Sequence, residues 1–562
     1  MHSVNDFAAG LSGTVWGWPS EFPFLVALLL VTGLIMTTVL RFIQVRKLKH
    51  SYDVIRGKYD DPSHDGDLSH FQALTTALSA TVGIGNIAGV ATALHYGGPG
   101  ALFWMWVTAV FGMALKYAVC TLAIKYRQIL PDGSASGGPM YYIEMGLGSK
   151  WKWLAVMFAV CAVISSFGSG NSIQAFTVAD QIRSDLGVPT WITGIVTAGL
   201  VAAVILGGIK RIGNVTSKLV PYMAAIYVTG GLAVLVMNFG AIPGVIAEIF
   251  ESAFRPAAQI GGFAGGSFIF MLTWGVKRGL FSNESGQGSA PIAHAAAKTD
   301  EPVREGVVAM MGPLIDTLII CSITGLVILS TGVWHERMPD SVPVNAQSAI
   351  TVINESAEVL EDGVILDSDR FTGQVQCVDG APQGVFVVRN HSLVDFPEFQ
   401  DTEGLPFSGN LNVEDGSIDT EGLPAMMLHG EMAQNGSPLT AWAFREGLRP
   451  ILGNWGHLII TLGVVLFGVS TAISWSYYGD RAVVYLFGTK YVLAYKWIFV
   501  LMHFLGAIFS LEIVWNFGDS ALGLMSLPNL IALLFLARKV RGMTDEYFSS
   551  CLLYTSPSPR DS

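Results

Sequence analysis

The chain has 562 residues, of which 51% are hydrophobic and 13% are charged, and its formal net charge at pH 7 is −11. Soluble domains carry about 25% charged residues, so this composition, with a mean hydropathy of +0.50, excludes an ordinary soluble protein and predicts a polytopic integral membrane protein. The five cysteines have no C-x-x-C or metal-ligand spacing, so the sequence implies neither a disulfide framework nor a zinc site.

The first apolar run covers residues 24–42. The N-terminus before it lacks the basic region of a signal peptide, so we expect this run to be retained as a helix. It is followed by RFIQVRKLKHSYDVIRGK, the densest basic cluster of the chain. Because basic loops stay in the cytoplasm, residues 1–70 are predicted to comprise an external N-terminus, one transmembrane helix and a basic cytoplasmic loop.

Residues 71–95, FQALTTALSATVGIGNIAGVATALH, form an apolar stretch of about 25 residues, long enough to cross a bilayer. Gly83, Gly85 and Gly89 interrupt its centre, where each glycine costs about 1 kcal/mol relative to alanine. In hydrocarbon an unwound turn survives only where it is buried in protein or lines a polar cavity. The stretch is therefore either a broken helix with a binding site at its centre, or a helix whose glycines allow close packing.

The next stretch, GGPGALFWMWVTAVFGMALKYAVCTLAIKYR, is predicted to return across the membrane and carries a lone lysine, Lys116. Three further spans are predicted at 152–178, 190–208 and 217–238. The loop GGIKRIGNVTSK then falls inside and the acidic loop AIPGVIAEIFESAFRP falls outside, so the charges of the loops agree with one orientation.

Residues 261–297 are irregular in the same way as residues 71–95. A short apolar run precedes the stretch from Gly275 to Gly279, and a helix of small residues resumes after NESGQG. We predict two half-helices that meet near the middle of the membrane, with unwound backbone around residues 275–279.

Spans at 306–332, 456–478, 491–510 and 519–537 bring the predicted number to eleven, and ARKVRGM after the last one places the C-terminus in the cytoplasm. When the leading helix is set aside, the interrupted segments stand first and sixth of ten. Broken helices at corresponding positions of two halves indicate an inverted-repeat secondary transporter. The two predicted five-helix repeats are residues 71–238, and residues 261–332 with 456–540.

The segment 335–440 differs from the rest of the chain. It holds 18 of the 43 acidic residues and three of the 32 basic ones, a net charge of −15, whereas the remainder carries +4. Runs such as GQVQCVDGAPQGVFVVRN predict a small acidic, β-containing insertion, which the topology makes extracytoplasmic. Solubility explains its acidity; calcium binding is the alternative, although no EF-type spacing is present.

Four stretches together carry a resemblance: GNIAGVATALHYGGPGALFWMWVTAVFG, SGGPMYYIEMGLG, GVKRGLFSNESGQGSAPIAHAAA and STAISWSYYGDRA. In this order they resemble the alanine or glycine:cation symporters, also called sodium:alanine symporters, over residues 23–332 and 450–540. The resemblance implies an all-α polytopic membrane protein of eleven transmembrane helices, with a LeuT-type five-plus-five inverted repeat preceded by one extra helix. The long insertion departs from the family.

The resemblance also implies a function. It is sodium-coupled import of small neutral amino acids, alanine or glycine, by alternating access at the cell (inner or plasma) membrane. Sodium is then a co-transported ion, no organic cofactor is needed, and no nucleic acid is a partner. Residues 551–562 resemble translated cloning sequence, so we treat them as a non-native tail.

A small zwitterionic amino acid needs partners for its carboxylate and its ammonium. The Ile84 and Gly85 amides open the half-helix after the first break and suit the carboxylate. For the ammonium, the candidates are carbonyls around residues 275–279 and the Gln174 side chain, which otherwise makes an interhelical hydrogen bond. Trp475, with Phe281 or Trp274, is a candidate cap, although packing alone explains any single aromatic. The predicted substrate site comprises Thr81, Ile84, Gly85, Asn86, Gln174, Trp274, Gly275, Gly279, Phe281 and Trp475.

Sodium is a hard cation that prefers oxygen ligands such as carbonyls and hydroxyls. The resemblance to LeuT-type transporters implies a site formed by the carbonyls of Ser79 and Val82 and the hydroxyls of Ser470 and Thr471. Helical hydroxyls also commonly bond back to a carbonyl one turn earlier, so the hydroxyl pair alone is unremarkable.

Four ionisable residues lie at or near membrane depth, where they are costly unless paired: Lys116, Lys277, Arg278 and Glu284. Glu284 paired with Lys277 or Arg278 would form a structural bridge or a gate beside the second break.

Other functions stay open at this point. They are a proton-coupled or other small-solute symporter of the same fold, a membrane-anchored receptor or sensor that uses the acidic segment, and a membrane-embedded enzyme. The enzyme is disfavoured because His95, His294 and His503 have no partner at catalytic or metal-binding spacing.

Overall fold

The computed structural model describes residues 2–19, 22–61, 63–254, 268–345, 350–355, 370–389, 392–420, 422–509 and 512–555. These residues form a helical body, to which a group of short strands is joined. The predictions for residues 261–267 and 556–562 lie outside this part of the chain, as do residues 346–349, 356–369, 390–391 and 421 of the predicted insertion.

The first helices lead up to the first interruption and past it. They are α1 (His2–Gly17), α2 (Phe24–Val39), α3 (Ile43–Arg46), α4 (Leu48–Ile55), α5 (His70–Thr81), α6 (Val90–Gly97) and α7 (Gly100–Lys125). A π-helical turn, Gly85–Gly89, joins α5 to α6. Helix α5 begins at His70 because Ser69 and Gln72 cap it: each side-chain oxygen accepts from the other residue's backbone N–H, at 3.2 and 3.0 Å.

The middle of the chain begins with two short strands, β1 (Gln128–Ile129) and β2 (Ala135–Ser136). Its helices are α8 (Pro139–Leu147), α9 (Lys152–Phe167), α10 (Ile173–Leu186), α11 (Thr190–Ile205), α12 (Gly208–Met237), α13 (Ile242–Ser252), α14 (Phe268–Asn283), α15 (Ala290–His294), α16 (Pro302–Ala309), α17 (Met311–Pro313) and α18 (Ser322–Thr331). Two further π-helical turns, Gly168–Ser172 and Leu314–Cys321, were not predicted from the sequence. Such turns are frequent at functional sites.

The last helices follow the strands. They are α19 (Gly436–Gly447), α20 (Arg449–Leu452), α21 (Leu458–Phe487), α22 (Val492–Ile508) and α23 (Glu512–Thr555). Helix α21 lies in the centre of the body, where it packs against α5, α9, α10 and α12. It therefore faces both the first broken helix and the helices around the Gly168–Ser172 turn.

Seven helical stretches among the described residues are long and apolar enough to cross a membrane: Gly100–Lys125, Ser149–Leu186, Gly208–Met237, Pro302–Thr331, Arg449–Phe487, Thr489–Ile508 and Asn516–Ser549. The bent pair of His70–Thr81 and Gly85–Gly97 makes an eighth. Two predicted spans correspond to shorter apolar helices, α2 and α11, and one is divided between α14 and α15. The number eleven and the inverted repeat therefore stay predictions.

Between α18 and α19 the described residues form ten strands. They are β3 (Arg337–Pro343), β4 (Ile350–Asn354), β5 (Gly373–Val378), β6 (Ala381–Pro382), β7 (Val385–Arg389), β8 (Ser392–Leu393), β9 (Asp395–Asp401), β10 (Gly409–Glu414), β11 (Ser417–Ile418) and β12 (Met426–Ala433). The antiparallel sheets have the orders β11–β10–β5–β6, β3–β12–β9 and β4–β7–β8. Val387, Phe399 and Leu428 are fully buried in a core built within this segment. Arg337 lies opposite Ala433, so the segment leaves and rejoins the helical body at one place.

The prediction of unwound backbone around residues 275–279 is wrong, because α14 is continuous through them and ends at Asn283. These glycines serve close packing instead. A Cβ atom on Gly275 would lie 2.6 Å from the Ala101 carbonyl oxygen of α7, and one on Gly279 would lie 3.2 Å from Thr108 Cβ. Small residues let backbones approach in this way, so α14 lies directly on α7.

Candidate functional site

The first broken helix changes direction by 54° between His70–Thr81 and Gly85–Gly97. Helix α5 ends where Val82 takes a ψ of 83°, and the Gly83 N–H is capped by Asn86 Oδ1 at 2.8 Å. The first N–H groups of the new half-helix have no acceptor within it, and the helix dipole makes this end positive. The amides of Ile84 and Gly85 thus meet the requirements of an anion-binding end.

The second break lies between α14 and α15, a few residues later than the sequence suggested. Glu284 adopts a left-handed conformation with φ 54°, and Gly286 and Gly288 have φ values of 89° and 91°. The Ser289 hydroxyl donates a hydrogen bond to Glu284 Oε2 at 2.6 Å. This carboxylate is therefore held at the interruption, 3% exposed.

The two breaks touch each other. A Cβ atom on Gly85 would lie 3.3 Å from the Phe281 ring and 3.6 Å from Ser282 Cα. A third irregular turn, Gly168–Ser172, closes another side, because Gly170 lies so near Trp475 that a Cβ there would be 2.5 Å from Trp475 Cγ. Glycine at these two positions allows the backbone turns and the aromatic rings to come together around a common space.

That space is a narrow cavity of about 20 Å³, which has room for about one water molecule in this structure. Its lining comes from both broken helices and from α10, α21 and α23: Ala80, Thr81, Gly83, Ile84, Gly85, Ser169, Gln174, Phe281, Glu284, Gln287, Thr471, Trp475 and Leu522. Six of the ten predicted substrate-site residues are among them. The cavity is therefore tightly enclosed, and the glutamate and glutamines give it a polar lining.

Three buried oxygen atoms of the lining residues have no hydrogen-bond partner among the described residues: Gln174 Oε1, Gln287 Oε1 and Ser169 Oγ. Each glutamine side chain is oriented by the hydrogen bond of its amide nitrogen. Gln174 Nε2 donates to the Ser169 carbonyl at 3.0 Å, and Gln287 Nε2 donates to the Leu280 carbonyl at 2.9 Å. A buried acceptor without a donor costs about 1–3 kcal/mol. A ligand that brings an ammonium group or a cation would relieve this cost.

The oxygens assigned to sodium lie together at the edge of the cavity. The Ser79 carbonyl accepts from Thr471 Oγ1 at 3.2 Å and from Ser470 Oγ at 3.4 Å, and Val82 ends the same turn of α5. A Cβ atom on Gly83 would lie 2.5 Å from Thr471 Oγ1. Ser470 Oγ also bonds back to the Phe467 carbonyl at 3.0 Å, which is the ordinary helical alternative.

Asn86 lies outside the cavity lining, in a polar cluster behind it. Its Nδ2 donates to Asp316 Oδ1 at 2.6 Å, and the hydroxyls of Ser282 and Thr317 donate to Asp316 Oδ2 at 2.7 and 2.8 Å. All four residues are completely buried. Asp316 belongs to the Leu314–Cys321 turn, so this cluster joins both broken helices to that turn.

Trp274, Gly275 and Gly279 do not line the cavity either. Trp274 stacks on Tyr96 with ring centroids 4.4 Å apart, and the Arg278 guanidinium lies 5.1 Å from the Trp274 ring. Among the described residues, neither Lys277 nor Arg278 forms an ion pair with Glu284, so the predicted pairing is wrong. The reason is that the continuous helix α14 directs Lys277 towards Trp16 and Trp274.

Lys116 is buried in α7, and its charge acts on both Glu284 and Asp316. Two carboxyl groups and one amine are thus buried beside the cavity, so acidic groups outnumber basic ones there. Such an excess of buried acidic groups is satisfied by a cation or by bound protons.

Sequence reasoning missed Ser169, Gln287 and Asp316, and it gave Glu284 a different partner. The signals were present: GSGN at residues 168–171 has the same glycine spacing as GIGN at residues 83–86, and Asp316 is an ionisable residue in an apolar span. Their meeting at one place depends on which helix faces cross, which sequence spacing alone does not give.

Comparison with known proteins places the chain in a family. The sodium:alanine symporter family model matches residues 1–361 and 424–556, and the unmatched interval lies within the acidic segment. Sodium/alanine symporter AgcS of Methanococcus maripaludis is 40% identical over 97% of this chain and 96% of its own. The putative sodium/proton-dependent alanine carrier YrbD of Bacillus subtilis is 42% identical over 60% of this chain and 66% of its own. Among solved structures, MhsT in complex with L-phenylalanine is 10% identical, covers 84% of this chain and 90% of its own, and has a TM-score of 0.48.

The helices, the interruptions and the buried polar cavity define a multi-pass membrane transporter. The chain belongs to the sodium:alanine symporter family. Membership of a transporter family means that the protein is not an enzyme, and it does not favour the receptor alternative.

Proposed function

We propose that the protein is a sodium-coupled symporter that imports small neutral amino acids, alanine or glycine, by alternating access. The observation that carries this proposal is the small cavity between the two broken helices, lined by unpartnered buried oxygens and by the positive end of a half-helix. The family, and the sodium/alanine symporter to which the chain is 40% identical, support it.

In this proposal the substrate carboxylate binds the Ile84 and Gly85 amides. The ammonium then faces Glu284 and Gln174 Oε1, both of which line the same cavity. An ammonium suits these groups because one carries a negative charge and the other is an acceptor without a donor. Phe281 and Trp475 bound the cavity on its apolar side and limit the length of the substrate side chain.

Sodium is proposed to bind the Ser79 and Val82 carbonyls with the Ser470 and Thr471 hydroxyls. Thr471 belongs both to this oxygen group and to the cavity lining, which supports coupling, because the ion and the substrate would stabilise the same contact between α5 and α21. Binding of either ligand then favours the conformation that binds the other. The N-terminus is proposed to lie outside, and the C-terminus and the basic α3–α4 loop in the cytoplasm.

The test is uptake of radiolabelled alanine into proteoliposomes that hold the purified full-length chain. An inward sodium gradient should drive accumulation, and replacing external sodium with choline at fixed pH should abolish it. Empty vesicles, and vesicles with the sodium gradient collapsed by an ionophore, are the controls.

Uptake that is unchanged in choline but follows a proton gradient would favour the proton-coupled alternative. Competition by unlabelled glycine, glutamine and phenylalanine measures the size limit. We expect glycine to compete and phenylalanine to fail, because the cavity is narrow and the Phe281 and Trp475 rings bound it.

A further inference from the structure

The ends of the two broken helices that face the predicted cytoplasm are bonded to each other. The Lys298 N–H donates to the Leu68 carbonyl at 2.7 Å, and the Asp67 N–H donates to the Ala296 carbonyl at 2.8 Å. Arg127 donates to the carbonyls of Ala295 and Thr299 at 3.1 and 2.8 Å. The cavity is therefore closed at this end by contacts between the segments that precede α5 and follow α15.

A hydrogen-bonded triad of His70, Glu305 and His294 lies within this closure. His294 Nδ1 is 2.5 Å from Glu305 Oε1, and His70 Nδ1 bonds to Glu305 Oε2. The two histidines are 1% exposed and the glutamate is 0% exposed. The triad joins the start of α5, the end of α15 and the first turn of α16, so the two broken helices are linked through a single carboxylate.

The charges of the triad require a proton. Among the described residues, the ion-pair partners of Glu305 are only these two histidines. A buried carboxylate without a positive partner is costly by several kcal/mol, and two neutral rings would leave the triad with a net charge of −1. One additional proton makes one ring an imidazolium and the triad neutral.

The geometry indicates where this proton resides. Both Nδ1 atoms are used towards Glu305, and both Nε2 atoms are buried without a hydrogen-bond partner in the part of the chain that the structure describes. His70 Nε2 lies 4.0 Å from Asp60 Oδ1, and the Asp60 side chain is 42% exposed. The proton therefore belongs on His70 Nε2, and Asp60 connects it to water on the predicted cytoplasmic side.

Other titratable groups surround the triad without bonding to it. Those whose charges act on it are Asp60 from the loop before α5, Arg304 from α16, and Cys120 and Arg127 from α7 and the residues after it. Among the other helices packed against α5, α15 and α16, α4, α21 and α23 contribute His50, Tyr478 and Tyr547, of which His50 and Tyr547 bond to each other at 2.9 Å. Helix α12 contributes Lys210, whose Nζ lies 3.7 Å from Asp67 Oδ1. Arg304 is turned away, because Nη1 donates to the Tyr59 carbonyl at 3.3 Å.

We propose that His70, Glu305 and His294 form a proton-binding site that holds the predicted cytoplasmic end of the transport pathway closed. Opening separates α5 from α15 and hydrates both rings, and a hydrated histidine loses its proton above a pKa of about 6.5. Closing takes up a proton and opening releases it, so acid inside the vesicle favours the closed state and alkali favours the open one. This proposal rests on the proposed transport function only where uptake rates are measured.

The rate experiment uses proteoliposomes with external pH held at about 7 and internal pH set between about 6 and 8. One linked proton changes the ratio of open to closed protein by up to about tenfold per pH unit, so uptake should rise with internal pH. Glu305→Gln and His70→Gln keep a hydrogen-bonding side chain but cannot hold the extra proton, so their profiles should be flat. His503→Gln is the matched control, since His503 is also buried but bonds to the neutral Asn171.

A second measurement needs no substrate. Ala297→Cys places a thiol in the closure, where Ala297 is fully buried beside Leu68. Its labelling by an impermeant reagent from the predicted cytoplasmic side should increase about tenfold from pH 6 to pH 8 relative to Ser149→Cys, an exposed reference, and Glu305→Gln should remove the difference. If Glu305→Gln does not fold, His294→Gln takes its place.

The outcomes separate the two proposals. Absence of alanine uptake with pH-dependent labelling overturns the proposed substrate and retains the proton site. Uptake whose internal-pH profile and labelling ratio are the same in the parent chain, His70→Gln and Glu305→Gln overturns the proton site and retains the transporter.

Discussion

The helical body and the acidic segment that holds strands β3 to β12, called the strand segment below, bury opposite kinds of groups. The body encloses Asn86, Glu284 and Asp316, and it leaves several oxygens of its cavity without partners. The strand segment encloses Val387, Phe399 and Leu428 and keeps charges such as Asp379 and Asp415 on its surface. Buried polar groups cost stability unless they are satisfied, so their concentration in the body indicates function, whereas the strand segment has the interior of an ordinary stable domain.

The largest expected effect comes from Gly83→Ala in the body. The new Cβ would lie 2.5 Å from Thr471 Oγ1, which cannot move without breaking its bond to the Ser79 carbonyl. We expect alanine uptake to fall by more than about tenfold, a loss of about 1.4 kcal/mol or more. The control is Gly199→Ala in α11, where nothing lies within 4 Å of the new Cβ and uptake should not change.

Normal uptake by Gly83→Ala, measured at equal amounts of inserted protein, would mean that the contact between α5 and α21 is not part of the site.

A smaller effect is expected at Thr471. Thr471→Ala removes one oxygen from the proposed sodium site and should raise the sodium concentration for half-maximal uptake by about three- to tenfold, as for the loss of one ordinary hydrogen bond of about 0.5–1.5 kcal/mol. Thr471→Ser keeps the oxygen and should stay within about twofold of the parent chain. Thr197→Ala is the control, because the Thr197 hydroxyl donates to the Thr193 and Gly194 carbonyls of its own helix at 2.9 and 3.4 Å.

A sodium titration of uptake measures these variants. Equal titration curves for Thr471→Ala and Thr197→Ala would mean that Thr471 contributes to packing and does not bind sodium.

The difference between the two regions predicts that the strand segment is dispensable for the coupling of sodium to amino-acid uptake. Because Arg337 lies opposite Ala433, a Gly/Ser linker of about four residues can replace strands β3 to β12 without moving the flanking helices. Sodium-dependent uptake should persist within about threefold of the parent rate. Loss of sodium dependence in a folded, inserted variant would place part of the coupling mechanism in the segment.

Extending the deletion through α19 sharpens this prediction. Thr440 Oγ1 in α19 donates to the Ile87 carbonyl of the first broken helix at 3.0 Å, so α19 belongs with the body. We expect the longer deletion to abolish uptake, because a buried carbonyl of the Gly85–Gly89 turn loses its partner.

The smallest effect concerns Cys377 in the strand segment. Burial raises the pKa of this thiol to about 11, so only about 0.1% is thiolate near pH 8 and maleimide labelling should be slow. If the segment unfolds separately from the body, low urea should expose Cys377 while alanine uptake persists. Cys377→Ser identifies the labelled residue, and simultaneous loss of uptake and protection would mean that the two regions unfold as one unit.

The sequence by itself determined that the protein is a membrane transporter of this family, and that its chain breaks near residue 83. Glycine and apolar composition are local properties: Gly83 and Gly85 weaken a helix wherever they occur, and hydrocarbon permits such a break only where it is buried in protein or lines a polar cavity. The family resemblance also proposed Ser470 and Thr471 as sodium ligands, and the chemistry of the site proposed Trp475 as an aromatic cap.

Only the tertiary structure decided what the remaining polar residues do. Gly275 and Gly279 have the composition of a break, but contact with α7 makes them packing positions and moves the interruption to Glu284. His294 has no useful partner along the chain, yet it meets His70 and Glu305 where three segments converge. The physical reason is that a buried polar group is satisfied by whichever group lies within about 3 Å, and in a helical membrane protein that group is set by helix crossing rather than by sequence spacing.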